Sequence, residues 1–190
     1  EQVCNDLVIS SQSWESEHFF LADSEINNYF TKGKRHRLES FYRKMRKRFN
    51  VLIEDDAPTG GEWNYDQNNR NKLKPADLTE IPAPLLFTNN ISEILKRIER
   101  HGIKTIGQAS DEVLWPVNRK QATELLDFFC QTCLPKFGKF QDSMTGKLSL
   151  FDEDRGWSLY HSRISFALNC KILSPKHVID TALSSYQKSD

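Results

Sequence analysis

Hydrophobic residues along the chain recur mostly at steps of three and four. Leu38, Phe41, Tyr42, Met45 and Phe49 keep this spacing through a segment rich in Lys and Arg, which predicts an amphipathic helix. Just before it, Ile26, Tyr29 and Phe30 mark a shorter helix, capped by Asp23 or Ser24 and ended by Gly33. Earlier still, Leu7-Val8-Ile9 and Phe19-Phe20-Leu21 flank a polar stretch in a pattern that allows a strand. From Glu54 to Pro84 the periodicity is lost among Asp, Asn, Gly and Pro, which predicts a long linker whose Trp63 and Tyr65 pack against something. Helical spacing then returns. Asn90 is placed to cap a helix carrying Ile91, Ile94, Leu95 and Ile98, stopped by Gly102; Asn118 caps another with Ala122, Leu125, Leu126, Phe129, Cys130 and Cys133, which runs to Pro135. Tyr160 to Asn169 reads as a further helix, and Ser174-Pro175 opens a last one with Val178, Ile179, Ala182, Leu183 and Tyr186 on its inner face. The pattern therefore predicts a mainly α chain.

Composition narrows the class. Of 190 residues, 38% are hydrophobic, with 12 Phe and 4 Trp, enough to build a packed core rather than a disordered chain. The 26 basic and 26 acidic side chains cancel, but unevenly: nine Lys or Arg stand against the single acid Glu39 between Thr31 and Asn50, leaving 17 basic against 25 acidic residues elsewhere. No apolar run approaches the roughly 18 to 20 residues that span a bilayer, and Glu1 to Ser10 lacks a basic leader, so a soluble cytoplasmic protein with no membrane partner and reduced thiols is expected.

Several residue groups could carry chemistry. Cys130-x-x-Cys133 has the spacing of a metal or redox pair, but both cysteines fall late in a helix on its apolar face, without a second pair, and are read as small core hydrophobes; no metal site is expected. The five histidines are scattered, and Glu54-Asp55-Asp56 reads as a solvated turn. The basic segment 32–48 could track phosphates, face solvent as an ordinary charged surface, or pair with an acidic segment of the same protein. Tyr160-His161-Ser162-Arg163-Ile164-Ser165 places two hydroxyls three residues apart beside a cation at a helix start; that arrangement receives phosphate oxygens, and it is also what an ordinary cap looks like.

Four stretches, in order, bear a resemblance. They are Leu38-Glu39-Ser40-Phe41-Tyr42-Arg43-Lys44-Met45-Arg46; Gly60-Gly61-Glu62-Trp63-Asn64-Tyr65-Asp66 with Asn69-Arg70; Trp115-Pro116-Val117 leading to Phe137-Gly138-Lys139-Phe140-Gln141-Asp142-Ser143-Met144; and Tyr160-His161-Ser162-Arg163-Ile164-Ser165-Phe166-Ala167-Leu168-Asn169. Together, across about Phe20 to Ala182, the sequence resembles the deoxyribodipyrimidine photolyase-related proteins, the iron-sulfur bacterial branch of the cryptochrome and photolyase family. The resemblance implies a light-dependent DNA-repair flavoprotein with FAD in a helical domain, a lumazine antenna in an N-terminal α/β domain and an iron-sulfur cluster near the C-terminus, acting on (6-4) photoproducts in damaged DNA. It implies that residues 1–50 are the end of the antenna domain, 51–88 the interdomain linker and 89–190 the first part of the FAD-binding domain. It further implies that Ser162 and Ser165 bind the FAD pyrophosphate, with Ile164 packed beneath and Tyr160 and His161 alongside; His161 and Ile164 stand where the family's Thr-Ser-x-Leu-Ser has Thr and Leu. No catalytic residue is expected within the chain, which is read as an inactive fragment with weak or absent FAD binding and possible self-association. The alternative is a non-enzymatic helical module that binds nucleic acid or an acidic partner through the basic helix 32–48.

Overall fold

Helices and helical turns take 47% of the described residues in the computed structural model, and the strands are four pieces of two residues each, so the mainly α class holds. The structure describes residues 2–16, 18–144 and 153–188, which leaves most of the acidic stretch between Lys147 and Trp157 outside the described residues. The chain divides into two compact units, residues 1–61 with Ser174–Lys176, and 62–173 with 177–190.

In the first unit, Gln2–Asp6 is a helix (α1), not part of a strand. Leu7, Val8 and Ile9 close turns by donating to Val3, Asn5 and Cys4 carbonyls; an apolar triplet becomes a strand only when a neighbour supplies the other half of the ladder, and here local acceptors take the amides. The helix expected to reach Gly33 is a 3-10 turn followed by α2 (Ile26–Tyr29), with Phe30 already out of helical geometry after the weak helix formers Asn27 and Asn28. Leu38–Arg48 forms α3. Its Phe41 ring meets Phe30 at 4.7 Å and Tyr29 at 6.0 Å, and Phe49, just beyond, meets Phe20 at 5.1 Å; Leu38 and Tyr42, counted on the same stripe, are exposed. Arg48 ties α3 to α2 by donating to Glu25 (2.6 Å) and the Tyr29 hydroxyl (2.8 Å). The helix ends where Asn50 turns left-handed (φ 51°) and the Val51 amide donates back to Arg46. Two short strands, β1 (Ile53–Glu54) and β2 (Ala57–Pro58), then pair around Asp55-Asp56, both at positive φ, the conformation a two-residue hairpin requires. The acidic cluster is thus a hairpin turn.

The second unit holds the core. The interval expected to lack helices contains a 3-10 turn at Asp66–Asn68 and the helix α4 (Pro75–Thr79), whose start is fixed by the Asp77 carboxylate accepting the Lys74 amide at 2.8 Å. Leu78 and Ile81 from this stretch are 4% and 1% exposed, so it contributes core residues rather than only connecting others. A strand pair, β3 (Asn89–Asn90) with β4 (Glu112–Val113), brackets α5 (Ser92–Arg100). Asn90 Oδ1 accepts from the Ser92 amide and hydroxyl, one residue earlier than a regular cap, and Gly102 (φ 60°) stops the helix with Ile103 donating to Ile98 and Gly102 to Glu99, a turn that a Cβ at Gly102 would strain. Asn118 caps α6 (Arg119–Phe128) through the Gln121 amide, as predicted. Pro135 does not end this helix. The five residues Phe129–Cys133 widen into a π turn, with the Leu134 amide donating to Phe129, and the chain continues as α7 (Leu134–Phe140) with Pro135 in its first turn, where a missing amide costs least. After α8 (Glu153–Gly156) come α9 (Ser165–Asn169) and α10 (Pro175–Gln187). Ala122, Leu125, Leu126, Cys130, Cys133, Phe140, Tyr160, Ala167 and Leu173 are each 3% exposed or less, and Val178 and Ala182 pack against them from α10. A fully buried leucine in such a core contributes about 1.5–3 kcal/mol of transfer free energy. Among the described residues, no helix is long and apolar enough to cross a membrane.

Candidate functional site

The loop leading into α9 is irregular where a helix is expected. Leu159 (φ 45°) and Arg163 (φ 56°) both adopt left-handed backbone, which interrupts any helix from Tyr160, so regular hydrogen bonding starts only when Leu168 donates to Ile164. Buried neighbours hold the loop in this form. Tyr160, 2% exposed, stacks on Phe140 at 5.5 Å and donates its hydroxyl to the Asp77 carbonyl at 3.2 Å; burial raises its pKa, which keeps the proton on that hydrogen bond. Ile164 is 7% exposed and belongs to the core.

Of the five residues expected at this site, Tyr160 and Ile164 are therefore the anchors, and His161, Ser162 and Ser165 are what the loop presents. His161 is exposed, with its ring edge-on to Phe137 at 5.9 Å. Ser162 is half-buried and Ser165 exposed, and neither hydroxyl has a partner among the described residues. Neither caps a helix: the residue before α9 is Ile164, and its side chain makes no cap.

Arg163, between the serines, is a residue that the sequence reading passed over. Its guanidinium turns inward, donates to the Leu85 carbonyl at 2.9 Å and lies 5.2 Å over the Trp157 ring, which in turn meets Trp115 edge-on at 6.2 Å. Burial lowers its pKa, with the nearby Cys133 opposing. One side chain thus ties the loop to the segment before β3 and to Trp157, and through that ring to the Trp115 stretch. A left-handed arginine leaves no mark in a one-dimensional pattern; only the adjacent serines point to its position.

Two of the quoted stretches meet away from this loop. The Asp142 amide donates to the Asn69 carbonyl at 3.1 Å, Arg70 reaches the Asp142 carboxylate at 3.3 Å, Asn71 donates to the Lys139 carbonyl at 3.3 Å, and the Ser143 hydroxyl donates to Asn71. Asn69 Oδ1, within a side chain 6% exposed, is a buried acceptor with no partner among the described residues. Cys130 and Cys133 are placed in the core, as expected from their spacing on the apolar face. Burial pushes both thiols above their usual pKa, Asp127 adding to the effect at Cys130 and Arg163 opposing it at Cys133. Among the described residues, no three His, Cys, Asp or Glu side chains gather into a metal site.

The cations of the basic helix are largely engaged. Arg43 pairs with Glu39 at 2.8 Å, Lys47 with Asp56, and Arg48 with Glu25, while Arg46 donates to the Val51 and Leu52 carbonyls. The third of the open alternatives, pairing with acids of the same chain, thus accounts for several of them.

Comparison with known proteins bears on the loop directly. A (6-4) photolyase of Agrobacterium fabrum (strain C58 / ATCC 33970) is 30% identical over 171 residues, 90% of this chain and 32% of that protein. A continuous 171-residue span of 190 leaves 19 residues out and so takes in 20–171 wherever it starts, the loop 160–165 included. The chain spans about a third of the length of this relative. The profile of the family described as "Deoxyribodipyrimidine photo-lyase-related protein" matches residues 1–114, more than half of the chain, so the chain belongs to the deoxyribodipyrimidine photo-lyase-related family.

Proposed function

We propose that this chain is the phosphate-holding part of a light-dependent DNA-repair flavoprotein that acts on (6-4) photoproducts. The observation that carries the reading is the identity to a (6-4) photolyase across a span that includes the serine loop. The loop suits a diphosphate: it presents two hydroxyls without protein partners among the described residues, next to the start of α9, where the first-turn amides have no intrahelical acceptor. Ser162 and Ser165 hold the FAD pyrophosphate by donating their hydroxyl protons. Ile164 packs beneath, Tyr160 fixes the approach to the loop through Phe140 and Asp77, and His161 stands at its rim. When bound, reduced flavin supplies the electron that reopens the lesion, which the protein receives flipped out of the duplex. Neither a lumazine antenna nor an iron-sulfur cluster is assigned to residues of this chain.

Equilibrium dialysis of the chain against FAD tests this reading. The expected result is weak binding that Ser162→Ala combined with Ser165→Ala reduces by about tenfold or more, since hydrogen bonds to a charged group contribute about 1.5–3 kcal/mol each. Unchanged affinity in the double variant, or no binding at millimolar FAD, would remove the assignment.

A further inference from the structure

The head of the basic helix forms a separate cavity in the first unit. Tyr29, Phe30 and Phe41 make its floor, and Arg35, Arg37 and Lys44 stand at its rim, around about 240 Å³ of space. These three cations differ from those farther along α3. Arg43, Lys47 and Arg48 each face a carboxylate, and Arg46 is committed to two backbone carbonyls, whereas no carboxylate among the described residues pairs with Arg35, Arg37 or Lys44. Three like charges around one hollow repel each other, and an anion seated among them relieves that repulsion.

The other lining groups fit an oxyanion. Ser40, in the first turn of α3, adds a hydroxyl. His36 donates through Nε2 to the Thr31 carbonyl at 2.9 Å and sits edge-on to Phe30 at 5.3 Å, so its ring frames the hollow. The floor rings lean on one another, Phe41 against Phe30 at 4.7 Å and against Tyr29 at 6.0 Å, which leaves no open slot between them for a base to stack in. The cavity therefore offers guanidinium and ammonium donors to a phosphate without a means of reading a base. That is the sequence-independent way in which a strand backbone is held.

We propose that Arg35, Arg37 and Lys44, over the Tyr29, Phe30 and Phe41 floor, form a subsite for a backbone phosphate of a DNA strand. The choice of DNA as the source of the phosphate rests on the repair function proposed above. The subsite divides the basic segment 32–48 into an anion-receiving head and an outer run already engaged within the protein.

Fluorescence anisotropy with a labelled oligonucleotide, single- and double-stranded, at several salt concentrations tests the proposal on the whole chain. Neutralising the rim with Arg35→Gln, Arg37→Gln and Lys44→Gln together is expected to weaken binding about tenfold or more at low salt and to lower the salt slope by about two to three. The matched change Arg43→Gln with Lys47→Gln is expected to alter affinity less than about threefold. Equal losses in the two sets, or no loss in the first, would overturn the subsite. Inorganic phosphate and AMP serve as competitors: displacement by either at micromolar concentration, with oligonucleotide affinity indifferent to the rim, would make it a small-anion site and overturn the DNA assignment. Circular dichroism and the melting temperature verify folding, and Arg37→Gln alone repeats the comparison if the triple variant melts early. Ser162→Ala with Ser165→Ala should leave oligonucleotide binding intact, so loss of the flavin assignment and loss of this subsite are read on different variants.

Discussion

The four cysteines sort by burial, and their chemistry follows. Cys130 and Cys133 are 3% and 2% exposed with raised pKa values, Cys170 is exposed and Cys4 half-buried. The thiolate is the reactive form, so burial protects the first two both by access and by keeping them protonated. Titration of the native chain with a disulfide reagent at pH 8 is expected to modify two thiols promptly and all four only after denaturation; prompt labelling of Cys130 or Cys133 would show that the core around the π turn opens. Spacing alone was enough to place this pair, because two cysteines on an apolar helical face have an ordinary role. Arg163 shows the opposite case. Its guanidinium holds together segments 78 residues apart, yet in sequence it is only a cation between two serines, because its role arises from a left-handed backbone and from Leu85 and Trp157.

At the scale of elements, α4 carries a pH dependence. The Lys74 amide, with Lys139 nearby, holds the Asp77 carboxyl below its usual pKa. A depressed acid stabilises the fold above its unfolded pKa and loses that contribution as pH falls through the folded one. The melting temperature should accordingly drop as the pH is taken from 5 towards 3, and Asp77→Asn should shrink that drop while lowering stability at neutral pH; an acid limb identical in both proteins would count against the cap. Local chemistry made other elements readable: Asn118 three residues before the Gln121 amide, Pro175 at the start of α10, and the three-and-four spacing of α3. Elements were misread where the deciding partner lies elsewhere. Leu7 to Ile9 resembles a strand but has local acceptors, and α9 ends on Lys171 (φ 58°) in a turn usually given to Gly. Of the site, Ser162 and Ser165 were found by pattern, whereas the buried contacts that fix them came only with the fold.

Across the whole molecule, protection from solvent is uneven. Every buried hydrophobic side chain named in the core comes from residues 78–173, within the second unit, and in the first unit only Pro58 is buried among the described residues. Local opening costs least where few apolar contacts must be broken. Amide exchange followed by mass spectrometry should find α3 exchanging about a hundredfold or more faster than α6, since two decades correspond to roughly 3 kcal/mol of opening free energy. Comparable protection in both would mean that aromatic contacts and the Arg48 bridge hold the first unit more firmly than burial indicates. The core itself depends on angular phase. One residue more than an α-helical turn needs is wound into Phe129–Cys133, and each helical residue advances the face by about 100°. Everything downstream is rotated by that amount, and in this orientation Phe137 meets Phe129 and His161 while Phe140 stacks on Tyr160. Loss of a single codon there would give a more regular helix, yet it would swing both rings off their partners and release the serine loop they steady; the least regular turn of the protein is the one that sets the alignment of its site.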